Sequence, residues 1–287
     1  MRSPSGFSLV EMSVVLVIVA VLIGGIIPAI TAQLEMKGIN TAKHEISDIK
    51  EALLGFVVAH RRFPCPATVN SGGKESFNPV PSNPSDGGNC ANKHGFVPAV
   101  SLGLRGNVNS DTLLLDPWGN PYRYSISESD VSPIKPDNSC NENTNGTWDF
   151  TTKGEMAVVG VNCLNKNILA EEMLRVCKDS ACEVKLTGDR KGEENKDEDT
   201  IPAIIYSLGK NWAETLQYDP SNEELENVGA SVASANSAGL TYLIASNNTF
   251  VSAAYRSDKT ENRFDDIVDW ISPTLLYNRM VMAGIYP

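Results

Sequence analysis

What this 287-residue chain has little of narrows its chemistry first. It contains three histidines, His44, His60 and His94, none with a nucleophile or carboxylate partner in a recognisable local motif. Histidine is the commonest general acid–base side chain, so an ordinary hydrolytic site finds no support. Phosphate-cradling loops are missing too: there is no G-x-G-x-x-G, no P-loop and no G-x-S-x-G elbow. Ser47 to Lys50 fits S-x-x-K, but no S-D-N or K-T-G element accompanies it. His44-Glu45 begins like a zincin motif, and Asp48 then stands where the second histidine belongs. Positive charge is short as well, with 24 Lys and Arg against 35 Asp and Glu, a net charge of −11. Binding to nucleic-acid phosphates needs a basic surface, and Arg61-Arg62 is the one obvious local basic pair. The expectation is a protein that is not an enzyme and does not take nucleic acid as a partner.

What is present begins with hydrophobic residues at 41%, ample for a core and too many for a disordered chain. Six cysteines, Cys65, Cys90, Cys140, Cys163, Cys177 and Cys182, lie outside any metal-type cluster and suit disulfides in an oxidising compartment. Cys177 and Cys182 have no partnering histidines, so a zinc site is not expected there. Their pairing is open from sequence alone. Chain proximity favours Cys65–Cys90, Cys140–Cys163 and Cys177–Cys182.

The N-terminal stretch GFSLVEMSVVLVIVAVLIGGIIPAI is the most informative part of the chain. No charge occurs from Met12 to Leu34, a length that would reach roughly 34 Å as a helix, enough for a hydrocarbon core of about 30 Å. A secretory signal peptide would have a shorter apolar region, with small residues after it rather than Gly6 before it. A plain signal anchor leaves Glu11 unexplained, because an intramembrane carboxylate is costly unless paired.

A short leader with Arg2, then Gly6, Phe7-Ser8-Leu9-Val10-Glu11 and a long apolar helix resembles the class III leader of type IV pilins and pseudopilins. The resemblance implies that a prepilin peptidase cuts between Gly6 and Phe7 and methylates the Phe7 amine. It implies that Glu11 pairs with the Phe7 amine of an adjacent subunit, setting the register of assembly. Pro28 falls where pilins often carry a helix-loosening proline. The implied partners are other pilin or pseudopilin subunits, the peptidase and an inner-membrane assembly platform. The implied location is the bacterial inner membrane, single-pass with a periplasmic head, and then a filament.

Helical periodicity continues beyond the apolar run: Ile39, Ala42, Ile46, Ile49, Leu53 and Phe56 recur at steps of three and four, with charges on the other faces. This predicts one long helix ending before Arg62-Phe63-Pro64, its apolar stripe packed on a sheet. Residues 61–111, with SGGKESFNPVPSNPSDGGN, read as a long loop stapled by Cys65 and Cys90. LLLDPWGNPYRYSI reads as a hairpin, and it resembles a turn of the major pseudopilin of type II secretion. Strands are expected over 156–161, 201–208 and 249–255, a solvated loop over 188–200, and a C-terminal helix capped by Ser272 with Pro273 at its first position.

One candidate ion site stands out, the cluster Asp265-Asp266-Ile267-Val268-Asp269, since hard cations want several oxygen ligands. In the major pseudopilin, calcium is held by an S-x-G-x-D-G loop and a later D-I-x-N-W segment. Tyr206 to Asn211 and Asp266 to Trp270 resemble these, but Lys210-Asn211 replaces the acidic part of the loop. Asp265 and Asp266 are the candidate calcium ligands; the other reading makes them caps of a structural turn.

The expected class is α+β, a pilin-like ladle whose long N-terminal helix packs on an antiparallel sheet with large loops. The expected organisation is a leader over 1–6, a transmembrane and assembly helix over 7–32, its amphipathic continuation over 33–61 and a globular head over 62–287. The expected function is that of a structural subunit, a minor pilin or pseudopilin. The alternative is a filament-borne adhesin or a DNA- or substrate-recognition module.

Overall fold

The computed structural model describes residues 6, 8–129, 148–151, 153, 174–182, 185–187, 201–212, 221–228, 245, 247–256 and 263–285. The chain divides into two compact units, Met1–Thr41 and Ala42–Pro287. Helix α1 runs unbroken from Leu9 to His60, through Pro28, so the loosening implied by the resemblance is not seen in its backbone. Among the described residues no helix is long and apolar enough to cross a membrane. The side chains of residues 24–29, in the middle of the apolar stretch, fall outside the description.

In the second unit the stripe read from periodicity is buried: Ala42, Ile46, Ile49 and Leu53 are each at most 1% exposed. Ile46, Ile49, Leu53, Leu54 and Val57 form one core with Tyr124, Ile126, Ala203, Ile205 and Ile271. Those partners come from a four-stranded antiparallel sheet of β1 (His94–Phe96), β2 (Arg123–Ile126), β7 (Ala203–Ser207) and β9 (Ile267–Ile271), ordered β1-β2-β7-β9. The fold is therefore α+β, with the helix on an antiparallel sheet. Polar contacts fix the helix at its edges: Tyr122 Oη donates to Glu45 at 2.6 Å, and Lys50 Nζ meets Asp269 at 3.0 Å.

All five residues of β7 are buried because both faces of the sheet are covered. Ile205 points to the helix side, whereas Ile204 and Tyr206 enter a second core with Leu174, Val176, Trp212, Val228 and Phe250. That alternation is the period-two consequence of a strand. The second core is backed by β5 (Arg175–Cys177), β6 (Lys185–Thr187) and β8 (Thr249–Val251), with β5 parallel to β8. A short ladder of β3 (Glu128–Ser129) and β4 (Trp148–Asp149), the helices α2 (Ala99–Leu102) and α3 (Asn222–Val228), and a C-terminal α4 (Pro273–Met282) complete the described elements. As expected from sequence, Ser272 Oγ accepts the Leu275 N–H, with Pro273 at the first helical position.

The segment read as one long loop contains β1, α2 and two single helical turns, all too short to leave a periodic signature. It is held by two staples. Cys65 and Cys90 form a disulfide. Arg62, 1% exposed, makes a forked pair with Glu75 at 2.7 and 2.9 Å and donates to the carbonyls of Phe63 and Pro84. Its guanidinium lies 5.1 Å from the Phe56 ring centre and 5.6 Å from that of Phe77. The basic pair noticed in the sequence thus contributes Arg62 to the interior, not to a nucleic-acid surface. Cys177 and Cys182 are also joined, whereas Cys140 and Cys163 lie outside the described residues, as do the segments 156–161 and 188–200.

Arg62→Ala should strand the Glu75 carboxylate in the interior and destabilise the protein by about 3–5 kcal/mol. Arg62→Lys should recover only part of this, because an ammonium cannot form the fork. Thermal unfolding of the purified chain by circular dichroism checks both.

Candidate functional site

Two regions carry the residues singled out in the sequence. The first is the start of α1. Ser8 immediately precedes the helix and its carbonyl accepts the Met12 N–H at 3.2 Å, the arrangement of an N-cap. The Glu11 N–H donates to Ser8 Oγ at 3.2 Å, and the Ser8 N–H donates to Glu11 Oε2 at 2.9 Å. Glu11 thus sits in the first turn, where a carboxylate suits the helix dipole. Gly6 is exposed just upstream, and Phe7 lies outside the described residues. From Leu9 to Ile23 the large apolar side chains are exposed, among them Leu9, Val10, Leu16 and Val21.

The second region lies where β7 ends. The DPWGN turn closes with Asp116 Oδ1 accepting the N–H groups of Trp118 and Asn120. Its other oxygen accepts the Ser207 hydroxyl at 2.6 Å. Asn120 Nδ2 donates to the Gly209 carbonyl at 2.7 Å. Gly209 has φ +66°, and a Cβ there would fall 2.5 Å from both Cγ and the backbone oxygen of Asp265. The two segments compared with the pseudopilin calcium loop are therefore in contact, and only glycine permits the approach.

Asp265 and Asp266 are both buried, and each has an oxygen engaged by the protein. Asn211 N–H donates to Asp265 Oδ2 at 2.8 Å, and Asn227 Nδ2 donates to Asp266 Oδ2 at 2.7 Å. Glu224, from α3, is capped by Ser221 and lies 3.4 Å from the Arg263 guanidinium. Arg123 is fully buried, stacked 5.0 Å from the Trp212 ring centre, and its charge favours ionisation of both Asp116 and Asp266. Among the described residues no group of three His, Cys, Asp or Glu side chains is placed to hold a metal ion. Asp265 and Asp266 meet Asn211 and Asn227, and Arg263 lies beside Glu224. Asp269, the last acid of the cluster, points the other way, to Lys50 on α1.

Burial raises Glu224 to about 7, the Asp265 charge adding to the rise and Arg263 opposing it. Asp266 is raised well above the usual carboxylate range by burial and by the charges of Asp265 and Glu224. His94 shows the opposite response: burial beside Lys93 pushes it down to about 4, and its Nδ1 lies 2.9 Å from Ser125 Oγ. His44 pairs on the exposed helix face with Asp48, 3.2 Å away, the residue that breaks the zincin pattern. Sequence reasoning missed Arg123, Glu224 and Asn227 because their partners are distant in the chain.

Comparison with known proteins concerns the first region and part of the second unit. A family model described as the prokaryotic N-terminal methylation motif matches residues 1–27. The type II secretion system core protein G of Pseudomonas aeruginosa is 29% identical over 128 residues, covering 43% of this chain and 74% of the relative. No solved structure matches the chain.

Glu224 binds a proton more tightly in the folded protein than in the unfolded one. Its contribution is therefore fully present below about pH 4.5 and is lost as pH rises through about 7. Between pH 5 and pH 8, Glu224→Gln should flatten the fall in stability by up to about 3 kcal/mol. Denaturant titrations of both proteins in chelator, at several pH values, measure the difference.

Proposed function

We propose that this chain is a minor pilin or pseudopilin that is cut between Gly6 and Phe7, methylated at the Phe7 amine and assembled through its N-terminal helix. The single observation that carries the reading is the methylation-motif match over residues 1–27 on a helix that begins at Leu9 with Glu11 in its first turn. Residues 1–6 are the leader, 7–32 the membrane and assembly helix, 33–61 its amphipathic continuation and 62–287 the head.

Physical chemistry supports each step. Exposed apolar side chains from Leu9 onward require a non-aqueous surrounding, either lipid or the helices of other subunits. Before assembly the uncharged run from Met12 to Leu34 lies in the inner membrane, and a head with two disulfides suits the oxidising, periplasmic side. In the filament, Glu11 meets the ammonium of a neighbouring Phe7, the natural partner for a carboxylate in apolar surroundings. Prepilin peptidase and an inner-membrane platform are the partners this route requires. The likeness to the type II secretion core protein G favours a secretion pseudopilus over a surface pilus.

Replacing Gly6 by Val should leave uncleaved precursor; a normal mature band on an immunoblot would refute the leader assignment. Glu11→Leu should be cut and inserted but recovered in sheared or overexpressed filaments at least tenfold below wild type, a loss corresponding to about 1.4 kcal/mol. Wild-type recovery would sink the pairing.

A further inference from the structure

We propose that Ser8 is a positioning residue for assembly that acts through Glu11, an inference that rests on the reading that Glu11 meets the Phe7 amine of a neighbour. The observation is a reciprocal pair of hydrogen bonds. Ser8 N–H donates to Glu11 Oε2 at 2.9 Å, and Glu11 N–H donates to Ser8 Oγ at 3.2 Å. Ser8 is the cap and Glu11 the third helical residue, so S-L-V-E is a capping box written across the assembly motif.

Three consequences follow from that geometry. First, a helix start leaves several backbone N–H groups without an intrahelical partner, and hydrocarbon offers none. The box satisfies two of them inside a single chain, so the subunit can wait in the membrane before any neighbour arrives. Second, Glu11 is exposed, and a glutamate has several rotatable bonds. The hydrogen bond from Ser8 selects one arrangement and folds the carboxylate back toward the chain start, the end at which cleavage frees the Phe7 amine. Third, the two oxygens divide the work. Among the described residues Oε2 takes the Ser8 N–H and Oε1 takes no hydrogen bond. One oxygen closes the residue's own helix while the other remains available to the ammonium of a second chain. Glu11 therefore need not break its internal contact in order to assemble.

Two substitutions separate the box from the charge. Ser8→Ala removes the hydroxyl acceptor and keeps the Glu11 charge. Glu11→Gln keeps a side chain that can close the box and removes the charge. Each is expressed as the full chain in a host lacking the native copy. The readouts are the mature subunit in the membrane fraction and the subunit recovered in filaments per mature subunit. We expect Ser8→Ala to be processed at the wild-type level and incorporated about fivefold less per mature subunit, the scale of one lost cap. Ser8→Thr should restore incorporation, because threonine caps almost as well. Wild-type incorporation of Ser8→Ala, or equal failure of Ser8→Thr, overturns the proposal. So does accumulation of uncut Ser8→Ala precursor, which would place the role in peptidase recognition, or a fall in mature subunit alone, which would mark a folding role. Glu11→Gln reports separately: its incorporation at the wild-type level overturns the pairing reading itself.

Discussion

An ionised guanidinium cannot be left without partners in a protein interior, and the second unit is organised around two of them. Removing such a charge from water costs several kcal/mol unless hydrogen bonds and opposite charge replace the solvent. Arg62 meets that requirement by drawing in Glu75, two carbonyls and two aromatic rings. In doing so it ties the end of α1 to a segment with little regular structure of its own. Arg123 does the same at the centre of the sheet. It lies between Phe96 and Trp212 and donates to the Pro121 carbonyl, and burial disfavours its charge while Asp116 and Asp266 favour it. A net charge of −11 makes such partners plentiful. The acid-rich composition and the buried arginines are thus two aspects of one electrostatic design.

The sheet then relates the two cores of the second unit. β7 is buried on both faces, so a residue and its neighbour along the strand belong to different cores. Ile205 belongs to the packing of α1, while Ile204 and Tyr206 belong to the packing of β5 and β8. A change in either core is transmitted to the other through a strand that has no solvent face on which to relax. The Ser207–Gly209 corner lies at the end of that strand and binds the DPWGN turn and the Asp265 segment together.

Legibility in the sequence followed interaction range. The α1 stripe, the Ser272 cap and the helix end before Pro64 were readable because their signals lie within a few residues of one another. The Cys65–Cys90 and Cys177–Cys182 bonds were favoured by simple proximity. In sequence β9 and the two residues before it present an acidic cluster, whose aspartates at 265, 266 and 269 suggest ligands before the alternation suggests a strand. There the competing pattern won: Ile267 and Ile271 serve one core and Val268 and Trp270 the other. β1 and β5, at three residues each, carry too little periodicity to be seen at all. The antiparallel sheet could be expected as a class, but the parallel pairing of β5 with β8 could not, because nothing local specifies a partner so distant in sequence.

The ring closed by Cys65 and Cys90 has a consequence for variation. Its two ends are 5.3 Å apart between Cα atoms, and its inner portion is tied down by Arg62 and by the Gly73 carbonyl. Among the described residues the outer arc from Asn78 to Asn83 has no such attachment to the core, and it carries Val80 at 76% exposure. Residues can be added, removed or exchanged in that arc without moving either end, since lengthening a loop that is already closed adds little entropy cost. The molecule therefore separates what must stay constant for the second unit to fold from a surface segment free to diversify.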